Sequence, residues 1–106
     1  MKIQFNTDSN IRGTNQLTTP LEAAISEGLS RYSAQITRVE VHLSDENGNK
    51  ESPNDKRCMI EARLEGMKPI AVTNKGNTHE EAVYGAIDKL KTSLDTILGR
   101  LSSHAH

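Results

Sequence analysis

Apolar side chains recur at every second residue in four stretches of the chain and at helical spacing in two others. From Lys2 to Asn6 polar and apolar positions alternate, which predicts a first strand, and Asn10, Gly13 and Asn15 mark a loop after it. Thr19, Pro20 and Glu22 have the spacing of a capping box with proline at the first helical position, so a helix is expected from there to about Ser33. Leu21, Ala24, Ile25, Leu29 and Tyr32 form its apolar face. Ile36 to Ser44 alternates again. Val39, Val41 and Leu43 turn one way and Arg38, Glu40 and His42 the other, as in a strand with one buried and one wet face.

The stretch from Asp45 to Asp55 contains Asn47, Gly48, Asn49, Pro53 and Asn54 and predicts a polar loop. Two further strands are expected beyond it, Lys56 to Glu65 and Pro69 to Asn74, joined as a meander through Gly66, Met67 and Lys68. Thr78 and Glu81 repeat the capping-box spacing ahead of the longest periodic segment, whose apolar stripe runs from Ala82 to Leu101. Residues 102–106 are expected to form a flexible tail. The element order predicts one α+β domain over residues 1–106, in two layers and β-α-β-β-β-α order. Its four-stranded sheet is mixed, because the first helix crosses over to make the first two strands parallel, and both helices pack on one face.

Only Phe5, Tyr32 and Tyr84 are aromatic, which leaves Ile, Val, Leu and Ala to fill a thin core. Cys58, the sole cysteine, alternates with Ile60, Ala62 and Leu64, so a buried thiol in a reducing compartment is expected. No run approaches the ~18–20 apolar residues of a membrane span, and no basic start followed by an apolar stretch opens the chain. The expectation is a soluble cytoplasmic protein that contacts no membrane. Thirteen Lys and Arg against 14 Asp and Glu leave a net charge of −1, so attraction to phosphate has to come from local clustering.

Catalytic constellations are not legible. His42, His79, His104 and His106 do not share a metal-ligand or acid–base spacing. Asp45, Asn47, Asn49 and Glu51 resemble a calcium loop, but Lys50 and Lys56 stand where such a loop needs glycine and an acidic residue. No serine sits in a glycine-rich elbow and no glycine-rich loop is placed to cradle phosphate, so neither an enzyme nor a cofactor is expected. On the wet sheet face Arg38, Glu40 and His42 should lie beside Arg57, Glu61 and Arg63. Cross-strand Arg–Glu pairing accounts for that pattern at least as well as an RNA-reading surface does.

The element order, Glu61 to Arg63, Gly66 in the next turn, Ile70 to Val72 and Ala86 to Asp88 together resemble the ribosome hibernation-promoting factor family, also labelled sigma-54 modulation proteins. The resemblance covers essentially the whole chain and is to the short form. It implies a β-α-β-β-β-α domain that binds the small ribosomal subunit and its RNA, keeping idle ribosomes inactive under stress or in stationary phase. In that family the last helix ends in a dense basic run, whereas here Ser93, Thr96 and Gly99 stand there with only Arg100 basic. The residues expected to touch phosphate are Lys56, Arg63, Lys68, Lys75, Lys89 and Lys91. The mixed-charge loop 45–55 could take a protein partner, and a stress-related protein-interaction module without ribosome affinity is the alternative reading.

Overall fold

The computed structural model describes residues 1–8, 14–45 and 55–104. Its elements are β1 (Lys2–Thr7), α1 (Thr14–Gly28), a single 3-10 turn (Ser30–Tyr32), β2 (Ile36–Asp45), β3 (Lys56–Leu64), β4 (Ile70–Gly76) and α2 (His79–His104). The sheet order is β1-β2-β3-β4, with β1 parallel to β2 and the remaining pairs antiparallel. This is the mixed four-stranded sheet expected from the pattern, and both helices cover its apolar face. Among the described residues no helix is long and apolar enough to cross a membrane.

The core lies between the layers. Val39, Val41 and Leu43 of β2 and Cys58, Ile60 and Ala62 of β3 meet Leu21 and Ile25 of α1 and Val83, Ala86, Leu90 and Leu94 of α2. Fully burying each Leu, Ile or Val side chain is worth about 1.5–3 kcal/mol. Period-two burial in the strands and helical burial in α2 are therefore two views of one interior. Thr37 sits at a register shift between Ile36 and Arg38, so Ile36 and Val39 both face the core although three residues apart. Gly66, at φ 74°, supplies the left-handed residue of the β3–β4 turn.

Three helix boundaries differ from those read in the sequence. Helix α1 starts at Thr14, not at Pro20, and Pro20 lies inside it. The cause is Leu17, which extends the apolar stripe by a turn and packs against the core. The proline loses one backbone hydrogen bond on the exposed side of the helix in return. The helix also ends at Gly28, and the expected continuation to Ser33 becomes the 3-10 turn. Helix α2 reaches His104, three residues into the segment expected as a tail, while residues 105–106 lie outside those described. The loop expected over 45–55 keeps Asp45 at the end of β2 and Asp55 just before β3, and residues 46–54 lie outside those described.

The second capping box forms with Thr78 as the cap, its carboxylate half shifted to the preceding residue. Thr78 Oγ1 accepts from the Glu81 N–H at 3.0 Å, and the Glu81 carboxylate accepts from the Asn77 N–H at 2.9 Å. Next to this turn the Asn74 side chain reaches from β4 across Gly85, donating to the Glu81 and Ala82 carbonyls at 3.3 Å each. These contacts fix the start of α2 against the sheet edge.

Candidate nucleic-acid interface

The six basic residues expected to touch phosphate do not share a face. Lys56 opens β3 with its ammonium 2.9 Å from Asp55 Oδ1 and 3.2 Å from Asp45 Oδ2. Its hydrogen bonds to these carboxylates, Asp55 above all, raise its pKa against an opposing effect of desolvation. Asp45 and Asp55 are themselves buried, so Lys56 staples the two ends of the 46–54 segment rather than offering its charge outward. His79, near this cluster, is held below its ordinary pKa by burial and by Lys56. Lys89 donates to the Thr73 carbonyl of β4 at 2.9 Å. Lys68 is exposed in the β3–β4 turn, and Lys91 lies on α2 beside α1. Arg63 and Lys75 alone of the six stand on the open side of the sheet.

That open side carries a charge pattern the sequence did not reveal. Strand register places Lys2, Arg38 and Arg63 in one row, Glu40 and Glu61 in the next, and Arg57 and Lys75 in a row at the far end. On β3 the two basic rows are six residues apart, about 20 Å. Five basic side chains thus face two acidic ones, leaving eight basic against twelve acidic over the rest of the chain. A molecule that is nearly neutral as a whole is positive on its bare sheet face.

The expected cross-strand Arg–Glu pairs do not occur, because the register sets Arg38 opposite Arg63 and Glu40 opposite Glu61. Like charges directly opposite are unfavourable, and the pairs form along each strand instead. Arg38 Nη2 lies 3.0 Å from Glu40 Oε1, and Arg63 Nε lies 3.2 Å from Glu61 Oε1. Arg38 also donates to the Gln4 side-chain carbonyl. The Arg63 side chain remains 52% exposed, and Lys2, Arg57 and Lys75 are exposed. This face holds no Phe, Tyr or Trp and only His42 as a ring, so it suits phosphate contact better than base stacking. Lys2, Arg38 and Arg57 were missed as site residues because only the register shows that they share rows with Arg63 and Lys75.

On the other layer, the 3-10 turn is clamped to α2. Tyr32 Oη donates to Asp95 Oδ1 at 2.5 Å, Arg31 reaches the same oxygen at 2.5 Å, and the Arg31 guanidinium stands 4.8 Å over the Tyr32 ring. The Tyr32 hydroxyl and then Arg31 draw the Asp95 pKa down, partly opposed by desolvation, while burial pushes that of Tyr32 up. Beyond this clamp the outer surface of α2 carries Thr92 and Thr96, whose hydroxyls bond back to the Asp88 and Thr92 carbonyls. Cys58 is fully buried and its thiol is pushed up to about 12, so it offers no thiolate near neutral pH. Among the described residues no group of three or more His, Cys, Asp or Glu side chains could hold a metal ion.

The architecture recurs in solved structures. The Thermus thermophilus Protein Y N-terminal domain superposes with a TM-score of 0.71 at 21% identity, over 92% of this chain and 99% of that one. A ribosomal subunit interface protein from Coxiella burnetii gives 0.68 at 17% identity, over 93% of this chain and 99% of that one. At such identities the likeness shows the fold. No curated protein sequence matches the chain. The family model for sigma 54 modulation protein / S30EA ribosomal protein matches residues 7–102, nearly the whole domain just described. The chain belongs to the sigma 54 modulation protein / S30EA ribosomal protein family.

Proposed function

We propose that this protein is a non-enzymatic, cytoplasmic regulator of translation that binds the small ribosomal subunit and keeps idle ribosomes inactive under stress or in stationary phase. The observation that carries the reading is the segregation of charge onto the open sheet face in a member of a ribosome-associated family. Arg63 and Lys75, joined by Lys2, Arg38 and Arg57, position phosphates of ribosomal RNA there, without reading bases. Lys68, Lys89 and Lys91 lie off that face and take no part in the sheet contact, and Lys56 is committed to Asp45 and Asp55. Thr92 and Thr96 on the outer surface of α2, in place of cations, favour the sheet over the last helix as the contact.

Co-sedimentation with small ribosomal subunits across a salt series tests this. Binding should weaken as salt rises, and the Arg57→Ala, Lys75→Ala double variant should flatten the logarithmic salt slope by about 1–2. Unchanged binding by the double variant would remove the sheet face from the interface. Failure of the wild-type chain to sediment even at low salt would favour a protein-interaction module of the same fold, with segment 45–55 as its contact.

A further inference from the structure

Between α1 and α2 lies an open groove of about 630 Å3 that the sheet-face reading leaves unused. The two helices run in the same direction along it, since Gly28 meets Ile87 and, further along both, Arg31 meets Asp95. On the α2 wall Tyr84, Asp88 and Lys91 follow one another at successive turns, and on the opposite wall Glu27 precedes Arg31. The chemistry therefore changes in order along the groove, from an aromatic ring through carboxylates to cations. Tyr84 is 52% exposed, far more than a tyrosine kept for packing needs. Glu27 and Asp88 have no ion-pair partner among the described residues. Arg31 is pinned by Asp95 while 61% of its side chain stays exposed.

A ribonucleotide presents the same order: a flat base, a ribose whose 2′-hydroxyl is a donor, and a phosphate. We propose that this groove binds one unpaired nucleotide of an RNA strand. The base stacks on Tyr84, the 2′-hydroxyl donates to Asp88 with Glu27 across the groove, and the phosphate lies between Lys91 and Arg31. Seven residues of helix from Tyr84 to Lys91 span about 10 Å, which the flexible Lys91 side chain shortens to the length of one nucleotide. Stacking on tyrosine tolerates any base, and the carboxylate contact selects RNA over DNA. The proposal rests on the ribosome reading for the source of the strand, but it uses the opposite layer of the molecule.

Fluorescence anisotropy with a short fluorescein-labelled oligo(A) RNA, its 2′-deoxy counterpart and AMP as competitor tests it on the full chain. The RNA should bind severalfold more tightly than the DNA. Tyr84→Ala should weaken RNA binding by about tenfold or more, while Tyr84→Phe retains it. Asp88→Ala should abolish the preference for RNA without weakening binding to DNA. Equal affinity of the wild-type chain for both strands, or wild-type affinity in Tyr84→Ala, would overturn the site. AMP competing as well as the oligonucleotide would assign the groove to a free nucleotide and overturn the strand. Co-sedimentation separates the two readings. Wild-type protein that sediments with subunits but ignores oligo(A) loses the groove alone, and protein that binds oligo(A) without sedimenting keeps the groove and loses the ribosome.

Discussion

A Cβ added at Gly85 would fall 2.0 Å from Asn74 Nδ2 and 2.6 Å from its Cγ, inside any permitted contact. Alanine there forces Asn74 off the Glu81 and Ala82 carbonyls, each bond being worth about 0.5–1.5 kcal/mol, against about 1 kcal/mol gained in helix propensity. Gly85→Ala should therefore destabilise the wild-type chain by about 1 kcal/mol. In an Asn74→Ala background the same change should stabilise by up to about 1 kcal/mol, a reversal of sign that urea denaturation of the four-member cycle will show. At this scale the sequence was legible wherever a residue's environment follows from its own strand or helix, as for buried Cys58 and exposed Lys68. It was illegible where the environment comes from across the fold. Lys56 looks like any loop-exit lysine until two buried carboxylates converge on it, and Lys89 like any helix lysine until Thr73 accepts from it.

Among the elements, the two capping-box spacings make a natural comparison, because only one of them begins a helix. Thr78 caps α2, so Thr78→Ala should cost about 1 kcal/mol. Thr19 lies within α1 and caps nothing, so Thr19→Ala should be neutral or stabilise by a few tenths of a kcal/mol. Equal losses in the two variants, measured by urea midpoint at constant m, would contradict the observed start of α1. The local signal at Thr19, Pro20 and Glu22 is sound chemistry, but burial of Leu17 outweighs it. Strand boundaries came within one or two residues because alternation is set by the sheet itself. Register did not, since pairing depends on how four strands settle together, and with it went the rows of like charge.

For the molecule as a whole, the consequence of those rows is a separation of charge between layers. A positive sheet face opposite a helix layer with Glu22, Glu27, Glu80, Glu81, Asp88 and Asp95 against Arg31, Lys89 and Lys91 makes the domain dipolar. Near the sequence pI of about 6.4 net repulsion vanishes while the two faces remain complementary. Light scattering should find greatest self-association close to that pH, relieved by added salt because salt screens face-to-face attraction. Scattering that rises with salt instead would point to apolar contact. The sequence places Arg38, Arg57 and Arg63 on the wet sheet face, but net charge averages over the asymmetry that matters for binding RNA, and only the register shows that face to be positive.

The parallel pairing of β1 with β2 has a consequence for how the chain is made. Strands β2, β3 and β4 follow one another and can close by short connections, and α2 can then dock on them. Strand β1 is synthesised before them but, among the described residues, pairs in the sheet with β2 alone, Lys2 opposite Arg38 and Thr7 opposite Leu43. It cannot be placed until the crossover through α1 is complete. The first strand made is thus among the last to have a partner, and until it arrives β2 presents an open backbone edge to any other chain.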